Sequence, residues 1–471
     1  MSTGGIGPNG PKRYSINKAR ISADRSTSFI DIENSISNLE LYEHLDQCYM
    51  TGYMTIVDTV DLYRLMAFQG TERLELEISY DEQDRNILPF VKTFIITSVN
   101  RSVKVYENTD VLKFSLTEEH MFVNQSEVIS KMVKGKPNEI ISKIIKSAKL
   151  DVDVDLISDP EIQSEFKYLI PYINPLEACT NILKTATTAE NLPYFLYSTI
   201  TKNKTLEYKS LSDILLEIPI VAQSDPFQYS IVKTQLSEEK VKSAFTVNPE
   251  LRGLVTPSDL QLQKSARYIE KYEIVNMENT IAMLSEGVIG SDHQIVNVNE
   301  WRHFEKHDSF LDTLNKLDPL LPDNQKKLSY DNLAYSGLHN KSNRQVTHLF
   351  SSHTYTDNSA NIYDAGAYPG DEILPRSNAR DLKMFMEKSP INITVPGYMF
   401  WPRNNRDTRS LGKNFFLQFM SSDLNAVDKN RIYDRHRSGQ YFCYAAAHVF
   451  NQNGYNVNMT AVKYSHLERD L

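Results

Sequence analysis

Cysteine is nearly missing: Cys48, Cys179 and Cys443 are the only three in a chain of 471 residues. They lie far apart with no CxxC pair, which excludes a disulfide framework and fits synthesis in a reducing cytoplasm. Each reads as a small core residue rather than a reactive thiol. Glycine is scarce as well, at 17 residues, which argues against a loop-rich or low-complexity chain. No apolar run approaches the roughly 20 residues that span a bilayer. Residues 1–12 carry Gly and Pro but no hydrophobic stretch, so they read as a flexible arm and not a secretory signal. An excess of positive charge is also lacking. The formal net charge of −9 argues against a dedicated nucleic-acid binder, which shows a basic patch or stripe. The sequence contains no G-x-S-x-G elbow, no P-loop and no G-x-G-x-x-G. Gly4-Gly5-Ile6-Gly7 has no strand before it and no helix after it, so it is no phosphate cradle.

Aromatic residues are plentiful, with 26 Tyr and 20 Phe, which suggests long regular strands. The length predicts two to four domains. From about Ser15 to Gln125 the dominant period is two. Leu74, Leu76, Ile78 and Tyr80 alternate with Glu75, Glu77 and Ser79, and Leu112, Phe114 and Leu116 do the same. Phe90–Val99 and Arg101–Tyr106 read as a further strand pair. Tyr53–Val57 is a strand running into a short helical stretch, Val60–Met66.

The period changes at Pro137, where Ile140, Ile141, Ile144, Ile145 and Ala148 take helical spacing behind a proline in the first turn. A second helix is predicted to begin after Asn174 as N-cap, with Pro175 at its first position, burying Leu176, Cys179, Ile182, Leu183 and Ala186. A strand over Tyr194–Thr199, a turn at Lys202-Asn203-Lys204 and a return strand through Leu206 and Tyr208 follow. Residues 267–304 read as extended, and 311–388 as a polar tract. From Ile391 alternation returns, ending in a hairpin of Tyr441–Phe450 and Asn456–Tyr464 around Asn453-Gly454.

Candidate sites are few. His303, Glu305 and His307 form H-x-E-x-H, not the H-E-x-x-H that a zincin helix needs, and read as surface residues on a polar loop. Asp434-Arg435-His436-Arg437 reads as a solvated turn whose arginines could meet acidic side chains. The carboxylate clusters Asp81/Glu82/Asp84 and Glu118/Glu119 fall on expected turns. Asn124, Asn392 and Asn458 open N-x-S/T sequons that mean little without secretion. Tyr441, Phe442 and Tyr444 could form a carbohydrate or peptide platform, although core and subunit-interface packing is the favoured reading. No catalytic, cofactor or metal site is therefore predicted, and no enzyme.

The order of features carries more information. Thr51-Gly-Tyr-Met-Thr-Ile-Val-Asp58 precedes a short helix and the strand Gly70-Thr-Glu-Arg-Leu-Glu-Leu-Glu-Ile78. Leu116-Thr-Glu-Glu-His and Ser130-Lys-Met-Val-Lys-Gly135 then lead into the Ile-rich helix. Leu169-Ile-Pro-Tyr-Ile-Asn-Pro-Leu176 opens the second helix, ahead of Tyr194-Phe-Leu-Tyr and Tyr208-Lys-Ser-Leu. This succession resembles the baseplate hub proteins of contractile-tailed, T-even-like and marine myophages. It is similar in plan to the hub part of type VI secretion spike proteins. The resemblance covers about residues 20–215, more thinly 265–305 and 391–471, and leaves 311–388 without a counterpart.

The resemblance implies a β-rich α+β chain with two similar β-barrel tube domains and an α+β insertion, assembling as a trimeric pseudo-sixfold ring. The implied divisions are 13–125 for the first tube domain and 126–260 for the α+β peripheral domain. The second tube domain would comprise 261–310 and 389–471, with 311–388 as a polar insertion. It further implies a structural hub that adapts the sixfold tail tube to the threefold central spike in the virion baseplate. The partners would be itself, the spike, tail tube or tube-initiator proteins and the wedge proteins, with DNA only passing through the channel and no membrane insertion. A tail-associated carbohydrate- or receptor-binding β protein is the alternative. A cell-wall hydrolase is a third reading, for which no segment shows a catalytic pattern.

Overall fold

The computed structural model describes residues 14–23, 29–59, 61–80, 87–106, 109–156, 166–220 except 185 and 189, 227–229, 269–275, 281, 285–286, 290–297, 302–309, 325–327, 344–350, 369–387, 390–419 except 405–406, and 438–467. The period-two segments at the start form seven strands: β1 (Tyr14–Ser22), β2 (Phe29–Asp31), β3 (Ile36–His44), β4 (Thr51–Asp58), β5 (Glu72–Tyr80), β6 (Phe90–Tyr106) and β7 (Thr109–Glu118). A one-turn helix, α1 (Leu62–Met66), joins β4 to β5. In β5 the alternation is complete, with Leu74, Leu76, Ile78 and Tyr80 buried and Arg73, Glu75, Glu77 and Ser79 half-exposed.

The segment expected to be two strands, Phe90–Val99 and Arg101–Tyr106, is instead the single 17-residue strand β6. No Gly or Pro interrupts Val99-Asn100-Arg101, so the chain has no reason to turn there. The pairing register shifts at Ile96/Ser98 and at Ser102/Tyr106, and the hairpin closes only at Tyr106↔Thr109.

The α+β unit holds α2 (Glu119–Ser126), β8 (Met132–Gly135), α3 (Pro137–Ser147), β9 (Asp153–Leu156), β10 (Phe166–Leu169), α4 (Pro175–Leu183), β11 (Tyr194–Ser198), β12 (Thr205–Ser210) and α5 (Leu211–Leu216). The stripe Ile140, Ile141, Ile144 and Ile145 of α3 and the stripe Leu176, Cys179 and Ile182 of α4 meet Leu196, Leu206 and Tyr208 in one core. Pro137 and Pro175 sit in the first turns, where the missing N–H costs nothing. The Ser210 hydroxyl caps α5 by accepting from the Asp213 N–H at 3.0 Å.

The remainder contributes β13 (Phe227–Tyr229), β14 (Lys271–Ile274), β15 (Gly290–Asn297), β16 (Arg302–Ser309), β17 (Gln325–Lys327), β18 (Arg344–Phe350), α6 (Pro369–Met386), β19 (Ile391–Pro396), β20 (Asn414–Phe419), β21 (Gly439–Asn451), β22 (Gly454–Lys463) and β23 (Ser465–Leu467). The β21–β22 hairpin forms as expected, with Gln452 and Asn453 in the turn and Gly454 closing it at φ +114°. The polar tract holds a helix that its composition hid. Ala379, Leu382 and Met386 of α6 are buried, and Leu382 and Met386 pack in a cluster with Phe195, Tyr444 and Tyr464.

The β-rich α+β class is as expected, but the described strands do not close into two separate barrels. Thirteen strands form one sheet, whose main path runs β14-β19-β22-β21-β3-β4-β7-β6-β5-β1-β2, with β20 pairing β21 and β13. The two β halves join where β3 pairs antiparallel with β21, from Asn38↔Asn451 to His44↔Ala445. Each half covers an edge of the other, which removes the need for separate closure at that side. One core underlies both halves. Phe90 stacks on Trp401 at 4.5 Å, and Phe450 on Tyr455 at 4.3 Å.

Candidate functional site

Behind the β3–β21 seam lies a carboxylate that touches all three parts of the chain. Glu43 continues the inward-facing row Leu39, Leu41 of β3, so the pleat drives it into the core. Its Oε1 lies 3.2 Å from Nε2 of His448 on β21. Its Oε2 accepts from the Ile200 N–H of the α+β unit at 2.9 Å. The Ser410 hydroxyl, from the loop before β20, donates to Oε1. His448 Nδ1 meets the Tyr455 hydroxyl at 2.7 Å. Burial alone would raise the Glu43 carboxyl, but His448, Ser410 and the Ile200 N–H together hold it below the usual carboxylate range.

Ser410, His448 and Glu43 are the residue types of a serine hydrolase triad, but not its geometry. The serine and the carboxylate both face Nε2, the serine at 3.3 Å, whereas a triad places them on opposite ring nitrogens. Ser410 and His448 are also fully buried. The arrangement fastens strands together.

A second fastening joins the α+β unit to the loop before β20. Glu207 of β12 accepts from the Tyr197 hydroxyl at 2.7 Å and pairs with Arg409 and with Lys202, the latter at 3.0 Å. Glu217 pairs with Arg409, Lys413 and Lys209. Asp407 lies 3.1 Å from Arg409 and 2.9 Å from Lys413. Desolvation, helped by the charges of Arg409 and Lys413, pushes the Lys209 ammonium down to about 7. A third fastening holds α6: Lys383 pairs with Asp46, and the Tyr444 hydroxyl meets both Asp46 and Glu387.

The opposite face of the sheet is open and different in chemistry. One register row crosses seven strands as Lys271, Thr394, Asn458, Ala447, Tyr42, Thr51 and Thr117. Thr394 donates to Asn458 at 2.8 Å, and Thr460 to Asn392 at 2.9 Å. A groove of about 540 Å³ lies on this face, lined from β14 to the start of β4. Small uncharged side chains dominate its floor.

The residues singled out from sequence are mostly scattered. His303, Glu305 and His307 lie on strand β16 and not on a loop, all three exposed. At a rise of about 3.3 Å per residue the histidines stand roughly 13 Å apart. His307 instead meets Asp292 at 2.8 Å. Among the described residues no group of three or more His, Cys, Asp or Glu suits a metal ion, and no helix is long and apolar enough to cross a membrane. Glu118 is not on a solvated turn: it is buried at the end of β7, where Lys92 lies 2.6 Å away. Glu119 opens α2 and faces Arg73 at 3.4 Å.

Asn124 is buried, and its side chain accepts from the Leu176 N–H at 2.8 Å. Tyr441, Phe442 and Tyr444 are buried, in keeping with core packing and not with an exposed platform. All three cysteines are buried and free, and burial pushes the Cys48 thiol up to about 12. Asp434-Arg435-His436-Arg437, Asp81/Glu82/Asp84 and Gly4-Gly5-Ile6-Gly7 lie outside the described residues. Sequence reading passed over Glu43, Glu207, Arg409 and His448.

No family model matches the sequence, and no curated protein matches it. Solved structures similar to this chain include tail proteins, two of them from prophages, and a component of the type VI secretion system. A tail protein from Neisseria meningitidis is 10% identical at a TM-score of 0.48, over 96% of each chain. A prophage tail protein from Shewanella oneidensis is 7% identical at a TM-score of 0.46, over 95% of this chain and 98% of that one. An E. coli component of the type VI secretion system, described as structurally similar to bacteriophage T4 tail proteins, is 8% identical at a TM-score of 0.41. It is covered over 95% of this chain and 77% of its own.

Proposed function

We propose that this chain is a structural baseplate hub of a contractile phage tail, working as a homotrimeric, pseudo-sixfold ring in the virion. The ring adapts the sixfold tail tube to the threefold central spike, contacts tube or tube-initiator and wedge proteins, and forms part of the channel for DNA. The observation that carries this reading is the single sheet shared by both β halves. Joining them through the antiparallel β3–β21 pair presents two meanders side by side with their solvent faces continuous. Three such chains offer six meanders, which is what a threefold ring needs to meet a sixfold tube.

The open face supports the channel role. Among the described residues lining its groove Lys271 is the one lysine or arginine, with Glu273 two residues on in the chain, so a passing polyanion finds few cations to hold it. The domain divisions expected from the sequence, 13–125, 126–260 and 261–310 with 389–471, become on this reading two tube units and a peripheral unit.

Mass photometry of the chain, alone and with its spike and tube proteins, tests the proposal. A trimer, or a monomer that trimerises with the spike, is expected. A chain that stays monomeric with both partners present overturns it.

A further inference from the structure

The α+β unit displays a surface that none of this uses. Strands β8 and β10 form a two-stranded ribbon, with Met132 opposite Leu169, Val133 opposite Tyr168 and Gly135 opposite Phe166. The ribbon continues through the Ile170 N–H bond to the Lys131 carbonyl and the Ile129↔Ile173 bridge. Val133 and Ile170 face inward onto α3 and α4. The other side is bare: Met132 is 64% exposed and Leu169 60%, with Tyr172 at 72% nearby on the same ribbon. Among the described strands neither β8 nor β10 has a second partner. A two-stranded ribbon on its own is marginal in water and has edge N–H and C=O groups to satisfy.

The charge around it is as distinctive. Residues 131–149 hold six lysines and one acid, Glu139, in a chain of net charge −9. Lys131, Lys134, Lys143, Lys146 and Lys149 are exposed.

We infer that the β8–β10 ribbon is a docking edge for an acidic, extended polypeptide segment of a partner protein, which adds as a third strand. Its acidic side chains meet Lys146 of α3 and Lys149 just after it, both exposed, while its alternate apolar side chains cover Met132 and Leu169. A DNA backbone would use the lysines but leave the Met132–Leu169 pair in water. A lipid surface would cover that pair but offers the strand edges no row of donors and acceptors. This inference stands independently of the hub reading, since it uses only the α+β unit.

The test is fluorescence anisotropy of the full chain with a short labelled peptide alternating Glu and Ile. Three probes serve as comparisons: a same-composition peptide with the Ile residues in one block, phosphatidylserine vesicles, and a DNA duplex. Saturable binding of the alternating peptide is expected. It should weaken about tenfold in Met132→Ser/Leu169→Ser and in Lys146→Glu/Lys149→Glu, and weaken with added salt. A peptide N-methylated on alternate amides should lose binding to the unaltered chain, a readout that does not depend on how the variants fold. No saturable binding, equal binding of the blocked peptide, or tighter binding of vesicles or DNA would each overturn the inference.

Discussion

Glu43 on β3 and His448 on β21 face each other at 3.2 Å inside the core, each side chain fully buried, on strands whose residues are separated by most of the chain. The pair sits under the seam that makes one sheet of two β halves. Because Glu43 also takes the Ile200 N–H and the Ser410 hydroxyl, removing it strands three groups, one in the α+β unit and two in the second β half. Leaving a buried partner uncompensated costs about 3–5 kcal/mol. Glu43→Ala is therefore expected to lower the unfolding free energy from urea titration by that order and to let the two halves unfold separately. Parallel traces from Trp fluorescence and far-UV circular dichroism would check this. A single coincident transition at the wild-type midpoint would refute it. The carboxyl is held below its ordinary value, so its contribution is present above the unfolded value of about 4.5. It is lost as pH falls through the lower folded value.

Gly397 reaches the same seam from the other side. It follows β19, and a Cβ built on it would overlap the Tyr455 ring, which carries the hydroxyl that His448 meets. Gly397→Ala is expected to destabilise by about 1–3 kcal/mol through overpacking, measured by differential scanning calorimetry. A wild-type melting temperature would show that the ring moves freely, which the stacking of Tyr455 on Phe450 argues against.

Lys209 gives a pH signature. Its folded value of about 7 lies below the ordinary 10.5, so between those values the unfolded chain binds the extra proton and stability rises with pH. Below about pH 7 both states are protonated and the desolvation cost is fully present. Lys209→Met removes the cost while Arg409 and Lys413 still face Glu217. The variant should melt above the wild type at pH 6, with the gap narrowing towards pH 10. A gap independent of pH would rule the account out.

Much of the fold was legible because most strands obey one rule. Leu74, Leu76 and Ile78 alternate cleanly, and the Ile140–Ile145 stripe can be nothing but a helix. The fastenings were not legible for a physical reason. Glu43 after Leu39 and Leu41 breaks the alternation by putting charge where an apolar residue is expected, whereas Glu207 between Leu206 and Tyr208 obeys the alternation of a half-exposed strand, and only the burial of both faces of β12 hides it. The break is a signal, but neither position names its partner: Arg409 lies some 200 residues from Glu207. Helix α6 was hidden by Pro369 and Pro375, which speak against a helix, although Ala379, Leu382 and Met386 keep helical spacing. Strand β6 reads as two strands on either side of Asn100, yet neither Gly nor Pro is there to make a turn.

Tyr444 lies where α6 meets the seam, and its hydroxyl faces the carboxylates of both Asp46 and Glu387. A hydroxyl has one proton to donate. The second contact is therefore best satisfied when a carboxyl carries a proton, and burial, aided by the charge of Asp46, raises the Glu387 carboxyl accordingly. Lys383, paired with Asp46, is the neighbouring cation, and His44 lies edge-on to the Tyr444 ring. Tyr444→Phe keeps the ring in its cluster but takes away the shared hydroxyl, so two acids face each other with one lysine between them. The expected cost is about 1–3 kcal/mol at neutral pH. A raised carboxyl binds more protons folded than unfolded, so its stabilisation grows as pH falls from the folded value towards 4.5. The variant's deficit should therefore shrink on mild acidification. Unfolding midpoints of Tyr444→Phe and wild type at pH 5 and pH 8, with protease sensitivity near α6 as a local readout, would decide it. A deficit that grows in acid would overturn this account of Glu387, and no deficit at either pH would mean that the tyrosine holds α6 by packing alone.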